Sequence, residues 1–215
     1  MKTKLAILMM MLIISSCKNE PLKVACVGDS ITYGSGIRLR SLRSYPARLD
    51  RMLGNEYEVR NFGVSGATML KKGDVPYWQV PPFQASQDYQ PDIVVIKLGT
   101  NDTKPENWVY AGEYLDDYRE MISVYLELDS GPMIYICTPV PAFEEKWGIN
   151  PEVIEKELFP ALTDLSEDEG VVLIDLYHPF LDKARHFPDK IHPNARGARL
   201  IAKEVAGYIE RTYQK

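Results

Sequence analysis

Cysteine and histidine are both scarce in this 215-residue sequence, with three of each. No Cys-x-x-Cys pair and no His-rich spacing is present, so neither a structural metal site nor a disulfide scaffold is expected. Cys26 and Cys137 lie inside apolar, strand-like runs and read as buried structural thiols, since a free cysteine packs as a small hydrophobe. A disulfide between them would need adjacent strands. Basic charge is also short: 25 Lys and Arg stand against 30 Asp and Glu, for a net charge of -5 and a pI near 5.3. No clustered run of cations is evident along the chain, which argues against a nucleic-acid partner. Internal repeats and low-complexity tracts are absent. What remains is an ordinary globular composition, 45% hydrophobic and 26% charged, with length for one well-buried core.

The first residues stand apart. Lys2 and Lys4 precede an apolar run from Leu5 to Ile14 that is too short to span a bilayer as a helix. The next residues, Ile14-Ser15-Ser16-Cys17, resemble a bacterial lipoprotein signal. Residues 1–16 are therefore expected to be a signal peptide, Cys17 the lipidated first mature residue, 17–21 a tether and 22–215 the folded domain. A plain secretory signal cleaved nearby is the other reading. Loss of Lys2 and Lys4 brings the net charge to -7. The expected location is the bacterial cell envelope, at the outer membrane facing either the periplasm or the surface, with membrane contact only through the anchor.

Past the tether, strand-like and helix-like stretches alternate. The apolar runs Leu22–Val27, Tyr57–Phe62, Asp92–Leu98, Pro132–Cys137 and Val171–Asp175 read as strands. The 92–98 run is nearly continuous in β-branched residues, as in a strand buried on both faces. Residues 44–54, 110–128, 152–167 and 195–213 carry helical spacing or helix stop signals. Residues 71–91, with four prolines, and 139–150 read as irregular. Alternation of this kind predicts an α/β fold: a three-layer α/β/α, flavodoxin-like sandwich around a five-stranded parallel sheet in the order 2-1-3-4-5.

The first strand stops at Gly28-Asp29-Ser30. A serine just past the carboxyl end of a parallel strand stands where open α/β sheets build their sites, although Asp and Ser are equally the preferred caps of a following helix. Near the other end, Asp189-Lys190-Ile191-His192 places a carboxylate three residues before a histidine. A nucleophilic serine needs a base in reach, and the base needs a partner that fixes its tautomer; an Asp-x-x-His turn supplies both. Its bland reading is a helix start, with Asp189 or Asn194 as cap. His178 and His186 are rival bases, set aside for want of an acid at that offset, with Asp182 and His186 the pairing to check. The G-x-S-x-G elbow of ordinary α/β-hydrolases would need glycine where Thr32 stands.

Gly28-Asp29-Ser30, Gly63-Val64-Ser65-Gly66, Gly99-Thr100-Asn101-Asp102 and Asp189-x-x-His192 together resemble, in order, the four signature blocks of the SGNH, or GDSL-type, esterase and lipase superfamily. They spread over essentially the whole expected domain. The resemblance implies Ser30 as nucleophile, His192 as general base, Asp189 as its orienting acid, and an oxyanion hole from the backbone N–H groups of Ser30 and Gly66 and the side-chain amide of Asn101. It implies ester hydrolysis through an acyl-enzyme, with no metal and no organic cofactor. Asp29, Asp102, Thr68 and Thr100 read as structural.

For the substrate, the extension from Gly99 to Trp108 is similar to that of secreted bacterial members acting on acetylated carbohydrates, such as sialate or xylan acetyl esterases. Removal of O-acetyl groups from carbohydrates is the preferred expectation, with Trp78, Trp108 and Trp147 as candidate sugar-facing aromatics. A lysophospholipase or thioesterase-like hydrolase is the alternative within enzymes. A non-catalytic glycan-binding lipoprotein on the same scaffold is the alternative outside them.

Overall fold

In a computed structural model of the protein, residues 20–213 are described. The expected signal peptide, Cys17 and most of the tether lie outside the described residues. Five parallel strands form one sheet in the order β2-β1-β3-β4-β5. They are β1 (Leu22–Gly28), β2 (Tyr57–Gly63), β3 (Ile93–Lys97), β4 (Met133–Cys137) and β5 (Val172–Ile174). Val24 is in register with both Val59 and Ile93, so β1 lies between β2 and β3, and β1, β3 and β4 are the interior strands. The order is the one expected from the alternation of elements.

Successive side chains on a strand point to opposite faces, and here each face makes its own core. Ala25, Val27, Val94, Ile96, Ile134 and Ile136 pack on one side beneath α6 (Tyr114–Leu126) and α8 (Phe159–Glu169). Val24, Cys26, Ile93, Val95, Tyr135 and Cys137 pack on the other beneath α3 (Tyr45–Leu53) and α9 (Ala195–Thr212). The result is the expected three-layer sandwich. Cys26 and Cys137 are free and buried, on strands separated by β3. Burial pushes the Cys137 thiol up to about 12, so it stays protonated and inert.

Residues 71–91 depart from the expectation of irregular chain. Pro81–Asp88 form α4, which begins on a proline pair. Proline is a breaker inside a helix, but its missing N–H and fixed φ suit the first turn. The other helices, all short or at the site, are α1 (Ser30–Tyr33), α2 (Arg40–Arg43), α5 (Pro105–Trp108) and α7 (Pro151–Val153); a π-helical turn, Ile154–Leu158, links α7 to α8.

All of β3 is buried, including Lys97, which is wholly inaccessible. Its ammonium lies 3.2 Å from the Asp29 carboxylate, which is equally inaccessible, and 3.2 Å from Thr100 Oγ1. One buried ion pair thus joins the end of β1 to the end of β3. Removing one partner leaves an uncompensated buried charge, so Lys97→Met should cost about 3–5 kcal/mol in chemical denaturation. The double variant Lys97→Met/Asp29→Asn should cost less than Lys97→Met alone. Equal stability of Lys97→Met and wild type would show that the pair carries no such constraint.

Candidate active site

The site grows from the carboxyl ends of β1, β2 and β3 and from the loop before α9. Gly28 closes β1 where a Cβ would fall 2.2 Å from Thr32 Oγ1 and 2.6 Å from the Lys97 carbonyl oxygen. Only glycine lets the chain turn there. Asp29 then caps α1, its carboxylate accepting the Ile31 N–H at 2.8 Å. The capping role open to Ser30 in sequence is thereby filled by its neighbour. The Ser30 hydroxyl is left available at the first position of α1.

Ser30 Oγ stands 2.9 Å from His192 Nε2, and His192 Nδ1 stands 2.9 Å from Asp189 Oδ2. An ionised carboxylate only accepts hydrogen bonds, so Nδ1 carries the proton and Nε2 is left to accept from the serine hydroxyl. Burial acts to raise the Asp189 carboxyl. The backbone N–H groups of His192 and Ile191 and the His192 ring outweigh it and hold Asp189 below the usual carboxylate range. Those two N–H groups lie 2.6 and 3.0 Å from Asp189 Oδ1, so the turn that binds the carboxylate also aims the imidazole. Asn194, three residues before Gly197, caps α9 by accepting the N–H groups of Arg196 and Gly197. Asp189 is not needed as that cap.

Three hydrogen-bond donors implied by the resemblance stand just past the ends of β1, β2 and β3: the Ser30 and Gly66 N–H groups and the Asn101 amide. Gly66 has φ +84°, a left-handed conformation natural to glycine, and the nearest atom to a built Cβ is Val75 Cγ2 at 3.8 Å. No acceptor among the described residues takes the backbone N–H of Ser30 or of Gly66. The Asn101 amide donates one hydrogen to the Ala67 carbonyl at 3.0 Å, leaving its other hydrogen free. This bond and the one from Val64 N–H to the Gly28 carbonyl (2.9 Å) tie the Gly63–Ala67 loop to both neighbours.

Asp102 holds that loop from beneath. Fully buried, it accepts the Met69 and Leu70 N–H groups at 3.1 and 2.7 Å. In the part of the extension past the third block, Thr103, Lys104 and Asn107 are spent within the protein as well, while Glu106 is exposed. Lys104 pairs with Asp74 at 2.7 Å, and Asn107 donates to the Asn101 carbonyl and to Asp74.

The three tryptophans part company. Trp147 is half-exposed, and its ring centroid lies 5.5 Å from that of His192. Trp78 donates to the Met69 carbonyl and packs edge-on against Phe83. Trp108 donates to Glu157 and packs edge-on against Tyr114. Trp78 and Trp108 therefore belong to loop packing rather than to a surface beside the serine.

A second Asp-x-x-His turn corrects the expectation for the rival histidines. Asp175 stands three residues before His178 and repeats the same geometry, with His178 Nδ1 at 2.8 Å from Asp175 Oδ2 and the Tyr177 and His178 N–H groups on Oδ1. Its offset was visible in the sequence. The ring packs against Phe159 and Tyr177, and no hydroxyl bonds to it among the described residues. His186 is not paired with Asp182, which binds Lys183 instead; its Nε2 accepts from Arg185 at 3.4 Å.

A serine, an imidazole and a carboxylate in one hydrogen-bonded series, with unbonded N–H groups at the neighbouring strand ends, form an arrangement suited to acyl transfer. Residues 26–200 match the family model described as GDSL-like Lipase/Acylhydrolase, and the chain belongs to that family.

Among related sequences, an acetylxylan esterase of Xylanibacter ruminicola is 42% identical over 212 residues, covering 90% of this chain and 44% of the relative. A multidomain esterase of Ruminococcus flavefaciens is 24% identical over 230 residues, covering 88% of this chain and 29% of the relative. The chain thus spans less than half the length of either. Solved structures show the same fold. A carbohydrate acetylesterase family member from Sinorhizobium meliloti superposes with a TM-score of 0.70 at 22% identity, covering 88% of this chain and 98% of its own. The native aryl esterase of M. smegmatis superposes with a TM-score of 0.69 at 18% identity, covering 89% and 100%.

Burial pushes the Asp102 carboxyl up to about 7, against the pull of the Leu70 and Met69 N–H groups and with the Asp29 charge adding to the rise. The folded state therefore binds this proton more tightly than an unfolded chain, whose aspartates titrate near ~3.9. That stabilisation is complete below about pH 4 and is lost as the pH rises through about 7. Between about pH 5 and about pH 8, wild type should lose more unfolding free energy in urea than Asp102→Asn, which cannot ionise. Parallel pH profiles would contradict this.

Proposed function

We propose that the protein is a carboxylic ester hydrolase that removes O-acetyl groups from carbohydrates through an acyl-enzyme on Ser30. The observation that carries the chemistry is the unbroken series Ser30 Oγ, His192 Nε2, His192 Nδ1, Asp189 Oδ2, with 2.9 Å at each link. Support for the substrate comes from the 42% identical relative, whose name states acetylxylan, and from Trp147, an aromatic face beside His192 on which a sugar ring can lie.

In this reading Ser30 Oγ attacks the acetyl carbonyl carbon as its proton passes to His192 Nε2. The oxyanion of the tetrahedral intermediate rests on the N–H groups of Ser30 and Gly66 and on the Asn101 amide. Collapse breaks the ester C–O bond, and His192 returns the proton to the departing sugar oxygen. Water then repeats the sequence on acetyl-Ser30, releasing acetate. Asp189 stays ionised throughout, fixing the Nδ1–H tautomer and stabilising the imidazolium.

The N-terminal segment completes the proposal: residues 1–16 direct export, lipid on Cys17 anchors the enzyme in the bacterial envelope, and 17–21 tether it there. This rests on the Ile14-Ser15-Ser16-Cys17 pattern.

Hydrolysis of a chromogenic acetate, and acetate release from acetylated xylan, test the chemistry. Ser30→Ala and His192→Ala should each lower kcat by about 10³-fold or more, and loss of the Asn101 amide in Asn101→Ala by about 10²-fold or more. Equal rates in wild type and Ser30→Ala would remove the mechanism. Peak activity on acyl chains of eight carbons or more would favour a lipid hydrolase over an acetyl esterase.

A further inference from the structure

The acidity of the whole chain hides a sharp asymmetry. Residues 38–51 carry five arginines against one acid, Asp50, and residues 183–203 carry six Lys and Arg against one acid, Asp189. The fold brings these segments together, because α3 and α2 both pack against α9. None of those five arginines makes an ion pair among the described residues, and neither do Arg185, Arg196, Arg199 or Lys203. Lysines and acids elsewhere pair freely. The expectation that cations do not cluster fails: Arg38, Arg40, Arg43, Arg48 and Arg51 already stand close in sequence, and the fold adds the cations of α9 to them.

Within the face lies a groove of about 500 Å³ lined by Met52, His186, Arg196, Arg199, Leu200 and Lys203. No lining residue is acidic. Arg196, Arg199 and Lys203 follow one another along α9, spanning about 10 Å at the helical rise, and all three are exposed. Met52 and Leu200 give the groove an apolar wall. Burial and the charges of Arg185, Arg196 and Lys183 depress the basicity of His186, as a locally positive potential requires.

The groove adjoins the catalytic loop. The His186 carbonyl accepts the Asn194 N–H at 2.8 Å, and a Cβ at Gly197 would fall 2.8 Å from Pro193 Cβ. One continuous segment thus passes from groove wall at His186 through Asp189 and His192 to the start of α9.

We propose that this groove is an anionic subsite that takes the carboxylates of uronic-acid units carried by the acetylated polysaccharide whose ester is cleaved at Ser30. The proposal rests on the acetyl-esterase reading. A polysaccharide is the occupant to expect because the cations begin beside the catalytic loop, at the carboxyl edge of the sheet. The chain enters β1 at Leu22, on the opposite, amino edge, so a surface tethered through residues 17–21 would approach the far end. A carboxylate held by forked guanidinium donors gains charge-assisted hydrogen bonds, and the apolar wall suits the face of a pyranose ring.

The experiment compares an acetylated xylan bearing glucuronic acid groups with the same polymer after its carboxylates are capped as neutral amides. The variant is Arg196→Gln/Arg199→Gln/Lys203→Gln. At low salt, wild type should show a KM roughly tenfold lower on the acidic polymer than on the capped one, and the triple variant should lose that advantage. Salt at about 0.5 M should erase it in wild type too. The variant's kcat, and its rates on the capped polymer and on a chromogenic acetate, should match wild type.

Equal KM values for wild type and variant on the acidic polymer would overturn the subsite while leaving the esterase reading intact. So would an equal loss on both polymers. Binding to phosphatidylglycerol vesicles that the triple substitution weakens, with no change on either polymer, would assign the face to a lipid surface and overturn the proposal. Inactivity of wild type on every acetate would instead mark failure of the esterase reading.

Discussion

An ammonium and a carboxylate cut off from water, Lys97 and Asp29, sit under the turn that presents Ser30. Burying two charges is costly unless each is matched, so each must stay where the other is. Asp29 in turn caps α1 through the Ile31 N–H, and Lys97 also meets Thr100, next to Asn101. The serine and the turn that carries Asn101 are thus anchored to one pair deep in the sheet. Asp102 adds a second buried carboxylate, fixing the Met69–Leu70 backbone beneath the Gly66 loop. Asp29, Lys97 and Asp102, all cut off from solvent, thus fix the first and third blocks and the backbone just past the second, and the fourth block joins them through the His192–Ser30 bond.

The two Asp-x-x-His turns show how little separates a base from an ornament. Asp175–His178 and Asp189–His192 bind their rings with the same bonds at nearly the same lengths. They differ in what stands on the free Nε2 side. His192 meets Ser30, at the end of a central strand, whereas His178 follows β5 at the sheet edge and packs against aromatic rings. An imidazole with a fixed tautomer has use in acyl transfer only where a nucleophile is within a hydrogen bond of it.

Charge is distributed with the same dependence on folding. Cations on α2, α3 and the start of α9 gather into a face on which none of them is ion-paired among the described residues, while acids predominate over the rest of the chain. The face borders the loop that carries His192. Under the proposed function, a long substrate lying across Ser30 would meet a positively charged groove on one side and the Trp147 ring beside His192.

Much of the architecture was legible in the residues alone. The β-branched run before Gly99 and the spacing of Tyr114, Tyr118, Met121, Ile122 and Tyr125 determine a parallel sheet with covered faces, because periodicity is a local property of the chain. Four short motifs at strand ends determined the family. The proline pair opening α4 misled the reading, since one residue type both breaks and begins helices. Lys97 was readable only as a charge out of place in an apolar strand. Which Asp-x-x-His turn meets the serine, which tryptophan stands beside it and where the cations collect were decided by tertiary structure. Each depends on the distance between residues remote in sequence, and that distance exists only after the strands have taken their order.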